Sequence, residues 1–334
     1  MNLLTQPITI KNVEIKNRIV MPPMATSKSE GGQVTQELVD YYDEKSKGGY
    51  IGLIITEHKY ISKEGIADPG QISISKDSDI EGLKRITDVI HKNGTKVIAQ
   101  INHAGSFADL TVSGSEPISA SAIEPHAANG KKGVVPKEMT QEDIDRMIQC
   151  FASAAKRAKE AGYDGVEIHS AHAYLLNQFY SPLTNKRTDG YGGSLEGRIR
   201  IHTEVIKAVR EAVGEDYLIA LRLGACDYTE GGSTLEDGVL ASKAFEKAGV
   251  DLLDISGGFC RYMRPGHKEQ GYFGELTEAI KREVTIPVIL TGGIVDGESA
   301  ESLLEQGTAD FIGVGRAILK DSEWAKKVIE KNCK

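Results

Sequence analysis

Eight times along the chain a short, β-branched apolar run is followed by a longer stretch with helical periodicity, without a Pro- or Ser-rich boundary to divide the series. Alternation of this kind implies parallel strands joined by right-handed helical crossovers. The runs occupy residues 18–24 (RIVMPPM), 50–57 (YIGLIITE), 96–102 (KVIAQIN), 165–169 (GVEIH), 217–224 (YLIALRLG), 251–256 (DLLDIS), 286–291 (IPVILT) and 310–314 (DFIGV). Eight strand–helix units predict a (β/α)8 TIM barrel, with residues 1–334 forming a single domain. A doubly wound two-domain fold would want Gly-x-Gly-x-x-Gly after its first strand, where MPPMATSKSEGG does not supply it.

The helical stretches carry their own punctuation. Several open on a capping residue, and Gly94, Gly162, Gly249 and Gly307 close others. Before the first strand, ITIKNVEI reads as a β-hairpin turning at Lys-Asn and plugging the bottom of the barrel. Between the third strand and its helix, residues 103–137 form a long loop, the kind of segment that serves as a lid.

Composition narrows the function. A net charge of −8 without a run of like charges argues against nucleic acid as a partner. No apolar run is long enough to span a membrane and the start lacks a signal peptide, so the chain reads as cytoplasmic. Cys150, Cys226, Cys260 and Cys333 show no paired or zinc-like spacing, which predicts reduced thiols and no structural metal. The 36 glycines in 334 residues exceed the usual share of about 7% and point to tight turns and close backbone approach to a ligand.

In such a barrel the chemistry stands at the C-terminal ends of the strands. Those positions are rich in donors and poor in carboxylates, and no Lys occupies one, which argues against a Schiff-base mechanism. Gly292-Gly293 after the seventh strand and Gly315-Arg316 after the eighth place bare backbone and a guanidinium where barrels bind phosphate. Tight turns alone are the alternative use of these glycines. His169 and His172 can donate to one polarised oxygen, and Tyr174 can deliver a proton. The histidines would also suit a metal, but no Asp or Glu stands beside them. Arg222, inside the apolar strand LIALRLG, calls for an anionic partner.

Residues 166–200, VEIHSAHAYLLNQFYSPLTNKRTDGYGGSLEGRIR, resemble the signature of the old yellow enzyme family of FMN-dependent ene-reductases. NRIVMPPM, GLIITE, IAQINHAG, LRLGACDY, LTGGI and GVGRAILKD match further family blocks in the same order, so that the likeness runs from about residue 3 to residue 330. The resemblance implies a non-covalent FMN. Pro23, Met24 and Ala25 would lie along the flavin ring, His58 near its edge, Gln100 on its pyrimidine side and Arg222 at N1–O2. Gly292, Gly293, Gly315 and Arg316 would cradle the phosphate. It further implies NADPH or NADH as reductant, and hydride transfer from flavin N5 to the β-carbon of an enone, enal or enoate. The substrate oxygen would rest between His169 and His172 while Tyr174 protonates the α-carbon.

The chain departs from the family pattern at Ala25, where members carry Thr or Cys beside the flavin. Thr26 could substitute only if its loop shifted, and Ser27 replaces a substrate-facing Tyr of some members. Larger relatives continue into an iron–sulfur and a second flavin module, so an end at residue 334 predicts electrons arriving directly from a pyridine nucleotide or from a separate protein. Homo-oligomerisation is left open. So are a flavin dehydrogenase for another substrate such as an amine, a flavin subunit serving a separate redox partner, and a non-redox lyase or isomerase using the two histidines as acid and base.

Overall fold

The computed structural model describes residues 2–124 and 134–332. Eight parallel strands close into a barrel: β1 (Ile19–Met21), β2 (Leu53–Tyr60), β3 (Lys96–Asn102), β4 (Gly165–Ser170), β5 (Leu218–Cys226), β6 (Leu252–Gly257), β7 (Val288–Thr291) and β8 (Phe311–Gly313). Each strand pairs with its sequence neighbours, and β8 returns to β1. Helices between strands form the outer ring, among them α1 (Gln36–Ser46), α2 (Ile80–Lys92), α3 (Gln141–Glu160), α4 (Leu195–Val213), α5 (Leu235–Ala248), α6 (Gly274–Lys281) and α7 (Gly297–Glu305). This is the (β/α)8 architecture that the alternation predicts.

Local chemistry sets the helix limits. Thr140 and Thr234 each accept from the backbone N–H three residues on, while Asp143 and Asp237 reach back to the cap, two reciprocal capping boxes. All four terminator glycines have positive φ: Gly94 76°, Gly162 85°, Gly249 116° and Gly307 71°. No helix among the described residues is long and apolar enough to cross a membrane.

Two apolar cores result. The larger lies between strands and helices. The smaller fills the bottom of the barrel: the hairpin Ile8–Ile10/Val13–Ile15 inserts Ile10, Val13 and Ile15 among Val20, Leu53, Ile98, Leu252 and Phe311. The hairpin turn runs through Lys11 at φ 52°. With the lower end sealed, the upper end is the face left for chemistry.

The strand limits differ from those expected, most of all at β2. It runs past Glu57 to Tyr60 because a register shift between Thr56 and Lys59 lets Lys59 pair with Ile101. A lysine therefore does sit at a strand end, which corrects the expectation that none would. It lies away from the barrel mouth: Lys59 Nζ donates to Thr56 Oγ1 (2.6 Å) and the Glu57 carbonyl (3.0 Å) beneath the Tyr163 ring. Burial pulls its pKa down to about 7. Among the described residues the long loop after β3 contributes a 3-10 turn, Gly105–Phe107, a short α-helix, Leu110–Ser113, and a two-residue strand pair, Ile118–Ser119 with Lys137–Glu138. Residues 125–133 of that loop and Cys333 lie outside the described residues. Cys150, Cys226 and Cys260 are free thiols.

Candidate active site

A cavity of about 480 Å3 opens at the C-terminal end of the barrel. Its wall contains all thirteen residues singled out in the sequence: Pro23, Met24, Ala25, His58, Gln100, His169, His172, Tyr174, Arg222, Gly292, Gly293, Gly315 and Arg316. Seven separate segments of the chain supply them, as expected where strand ends and βα-loops converge.

One end is aromatic. His169 is the penultimate residue of β4, and past the strand the chain turns through two left-handed residues, His172 (φ 60°) and Ala173 (φ 65°). Such conformations cost about 1–3 kcal/mol each without glycine and persist only when the surroundings impose them. Here Asn177 Oδ1 accepts from Ala173 N–H (2.7 Å) and Gln178 Nε2 donates to the Ala173 carbonyl (2.6 Å). The turn brings the His169 ring within 5.2 Å of both His172 and Tyr174, centroid to centroid, while His58 lies 5.5 Å from Tyr174. Burial drives both His169 and His172 well below the ordinary imidazole pKa, so the rings are neutral. Tyr174 is raised by its enclosure and keeps its proton. His172 Nε2 shares a 2.8 Å hydrogen bond with Ser256 Oγ, whereas His169 Nδ1 is shielded and has no hydrogen-bond partner among the described residues. His58 is held near 4 by burial, and its Nδ1 accepts from Gln71 Nε2 (2.7 Å), which leaves the proton on Nε2.

The floor is polar. Arg222 Nε approaches Asp254 Oδ2 to 3.2 Å, but off the hydrogen-bonding direction, so Arg222 Nε and both Asp254 oxygens lack hydrogen-bond partners among the described residues. Gln100 Nε2 donates to Glu167 Oε2 at 2.7 Å. Desolvation raises Asp254 to about 6 and pushes Glu167 well up. The anionic partner that Arg222 calls for is thus in part Asp254 itself. Glu167 and Asp254 escaped the sequence reading because it looked only at strand ends, yet the two-residue alternation of a strand puts Glu167 on the face of His169 and Asp254 on that of Ser256.

The opposite end is backbone. Gly292 (φ 142°) and Gly293 (φ 70°) pass so close to Tyr272 that a Cβ on Gly293 would stand 2.8 Å from its ring. Gly315 is crowded by Met24 Sδ, which a Cβ would meet at 2.9 Å. Arg316 Nη2 lies 3.5 Å from the Tyr272 hydroxyl. At Ala25 no side-chain donor is present, and Thr26 does not replace it, because its Oγ1 donates to Glu57 Oε1 at 2.8 Å. Arg261, Tyr262, Tyr272 and Thr291 also line the cavity. Among the described residues no group of three or more His, Cys, Asp or Glu is placed to hold a metal ion.

Over residues 3–334 the chain matches the family described as NADH:flavin oxidoreductase / NADH oxidase. An NADH oxidase of Thermoanaerobacter brockii is 42% identical over 96% of this chain and 50% of its own length. An NADPH dehydrogenase of Halalkalibacterium halodurans is 38% identical over 95% of this chain and 91% of its own length. Among solved structures, a 2-naphthoyl-CoA reductase in complex with 2-naphthoyl-CoA superposes with a TM-score of 0.93 at 30% identity, covering 98% of this chain and 52% of that one. An old yellow enzyme homologue from Zymomonas mobilis gives 0.85 at 27%, over 98% and 92%. The chain spans about half the length of the first of these relatives and nearly all of the second. With a matching barrel, a matching profile and these relatives, the chain belongs to the NADH:flavin oxidoreductase / NADH oxidase family, that of the FMN-binding old yellow enzymes.

Proposed function

We propose that the chain is an FMN-dependent NAD(P)H oxidoreductase that reduces the C=C bond of α,β-unsaturated carbonyl compounds. The observation that carries this reading is the convergence of His172 and Tyr174 on His169, each ring 5.2 Å from it centroid to centroid, over a floor of Gln100 and Arg222. The cavity fits FMN in the chemistry it offers. Arg222 Nε and His169 Nδ1 are shielded and make no hydrogen bond among the described residues, so a bound flavin and substrate would satisfy them, and bare backbone at Gly292-Gly293 and Gly315 stands beside the Arg316 guanidinium. Gln100 and Arg222 would hold the pyrimidine side, Pro23, Met24, Ala25 and His58 the ring, and Gly292, Gly293, Gly315 and Arg316 the phosphate.

Bound FMN, reduced by NADH or NADPH, supplies the hydride for the β-carbon. The protein does the rest. His169 and His172, neutral at pH 7, hold the substrate oxygen by hydrogen bonds and draw electron density from the alkene. In this reading the Ser256 hydroxyl, 2.8 Å from His172 Nε2, is the donor of their shared hydrogen bond, which would put the His172 proton on Nδ1. Tyr174 keeps its phenolic proton because the site is desolvated, and hands it to the α-carbon.

Tyr174→Phe tests the assignment. Loss of a positioned proton donor typically costs 10^2- to 10^4-fold, roughly. Anaerobic stopped-flow should show that slowing in reoxidation of the reduced flavin by an enone, with flavin reduction by NADH or NADPH retained. Equal slowing of both half-reactions would exclude Tyr174 as the donor.

A further inference from the structure

The loop after β6 turns back sharply on its own strand. A Cβ on Gly257 would stand 2.2 Å from Cys260 Sγ and 2.3 Å from the Arg261 carbonyl, and Arg261 N–H donates to the Gly258 carbonyl at 3.0 Å. Arg261 itself is left-handed, at φ 58°. This conformation aims its side chain into the cavity, where the guanidinium sits 5.5 Å over the Phe107 ring. Tyr262 extends the same wall, its ring 6.2 Å from His172.

The other arginines of this neighbourhood are engaged. Arg264 pairs with Glu275 at 2.9 Å, Arg222 meets Asp254, and Arg316 stands at the phosphate end beside Tyr272. Arg261 has no carboxylate within ion-pair distance among the described residues, and its Nε is shielded without a hydrogen-bond partner. The charged side chains that bear on His172 are Arg222 and Arg261, both cationic; at Tyr174 the effect of Arg261 exceeds the opposing effect of Asp68. A guanidinium set over an aromatic ring, half-buried with its Nε shielded and with no ion-pairing carboxylate among the described residues, is a carboxylate receptor.

We propose that Arg261 binds a carboxylate carried by the unsaturated substrate, so that acidic enones are selected over their neutral esters. This rests on the ene-reductase reading above and names the substrate class for the same pocket. The pyrophosphate of the pyridine nucleotide is the other anion that visits the cavity, and the test separates the two.

FMN-loaded protein is reduced anaerobically with dithionite and reoxidised with 4-oxopent-2-enoate or its methyl ester. Arg261→Gln should lower the acid-to-ester ratio of second-order rate constants on the order of 10- to 100-fold, as expected for one charge-assisted contact, and Arg261→Lys should restore part of it. An unchanged ratio overturns the proposal. So does a loss in flavin reduction by NADH or NADPH as large as the loss with the acid, which would give the cation to the nucleotide. If neither compound reoxidises wild-type flavin, the ene-reductase reading fails. Titration of the oxidised flavin spectrum with saturated 4-oxopentanoate then still decides Arg261: a dissociation constant raised 10-fold or more in Arg261→Gln supports it, and an equal one overturns it.

Discussion

His58 is enclosed by Gln71, Asn102 and the aromatic rings of the barrel mouth, and its folded pKa of about 4 lies below the ordinary 6.5. Above pH 6.5 the folded and unfolded chains both carry it neutral, and it adds no pH dependence. As the pH falls below 6.5 the unfolded chain takes up a proton that the fold refuses, so stability declines until about pH 4 and then levels. At about 1.4 kcal/mol per pH unit, the full loss is about 3 kcal/mol. Urea midpoints of flavin-free protein at pH 7 and pH 4.5 should therefore converge more closely in His58→Gln than in the wild type; identical pH dependence would remove His58 from the acid sensitivity. The sequence shows why His58 belongs at a strand end but not why it stays neutral, because the amides that fix its tautomer come from positions 71 and 102. Arg261 was hidden in the same way, since only its left-handed backbone turns it inward.

At the scale of elements, the turns after β7 and β8 were legible because glycine is conspicuous wherever backbone must be bare. The four helix-terminating glycines were legible for the same reason. The end of β2 was not, since a bulge is a matter of pairing register and leaves no mark in the pattern of residue types. Assigning the β7 and β8 turns to the FMN phosphate makes Arg316 a phosphate ligand, and this can be separated from any contact with the ring. Arg316→Gln should weaken FMN by about 1.5–3 kcal/mol, the usual worth of a hydrogen bond to a charged group. Riboflavin, which lacks the phosphate, should bind wild type and variant alike. Fluorescence titration with both flavins checks it, and a parallel loss for riboflavin would place Arg316 against the ring system or make it structural.

Across the whole molecule, the barrel separates what stabilises from what binds. The alternation of eight apolar runs announces this architecture, and the hairpin ITIKNVEI announces the plug; what the runs announce only in part, at Gln100 and Arg222, is the polar floor that these two make with Glu167 and Asp254 between the apolar bottom and the cavity. Ile15 stands in the bottom cluster, fully buried, on the far side of that floor from every residue lining the cavity. Ile15→Ala removes a buried branched side chain whose surroundings are held by the closed sheet, and should cost about 2–5 kcal/mol. Flavin stabilises the fold by an amount set only by its concentration and dissociation constant. If bottom and top are energetically separate, the loss in urea stability will be the same with and without saturating FMN, and the FMN dissociation constant will not move. A loss that shrinks or grows when FMN is added would mean that the plug and the cavity share their packing through the floor, and that the barrel acts as one cooperative unit from hairpin to flavin.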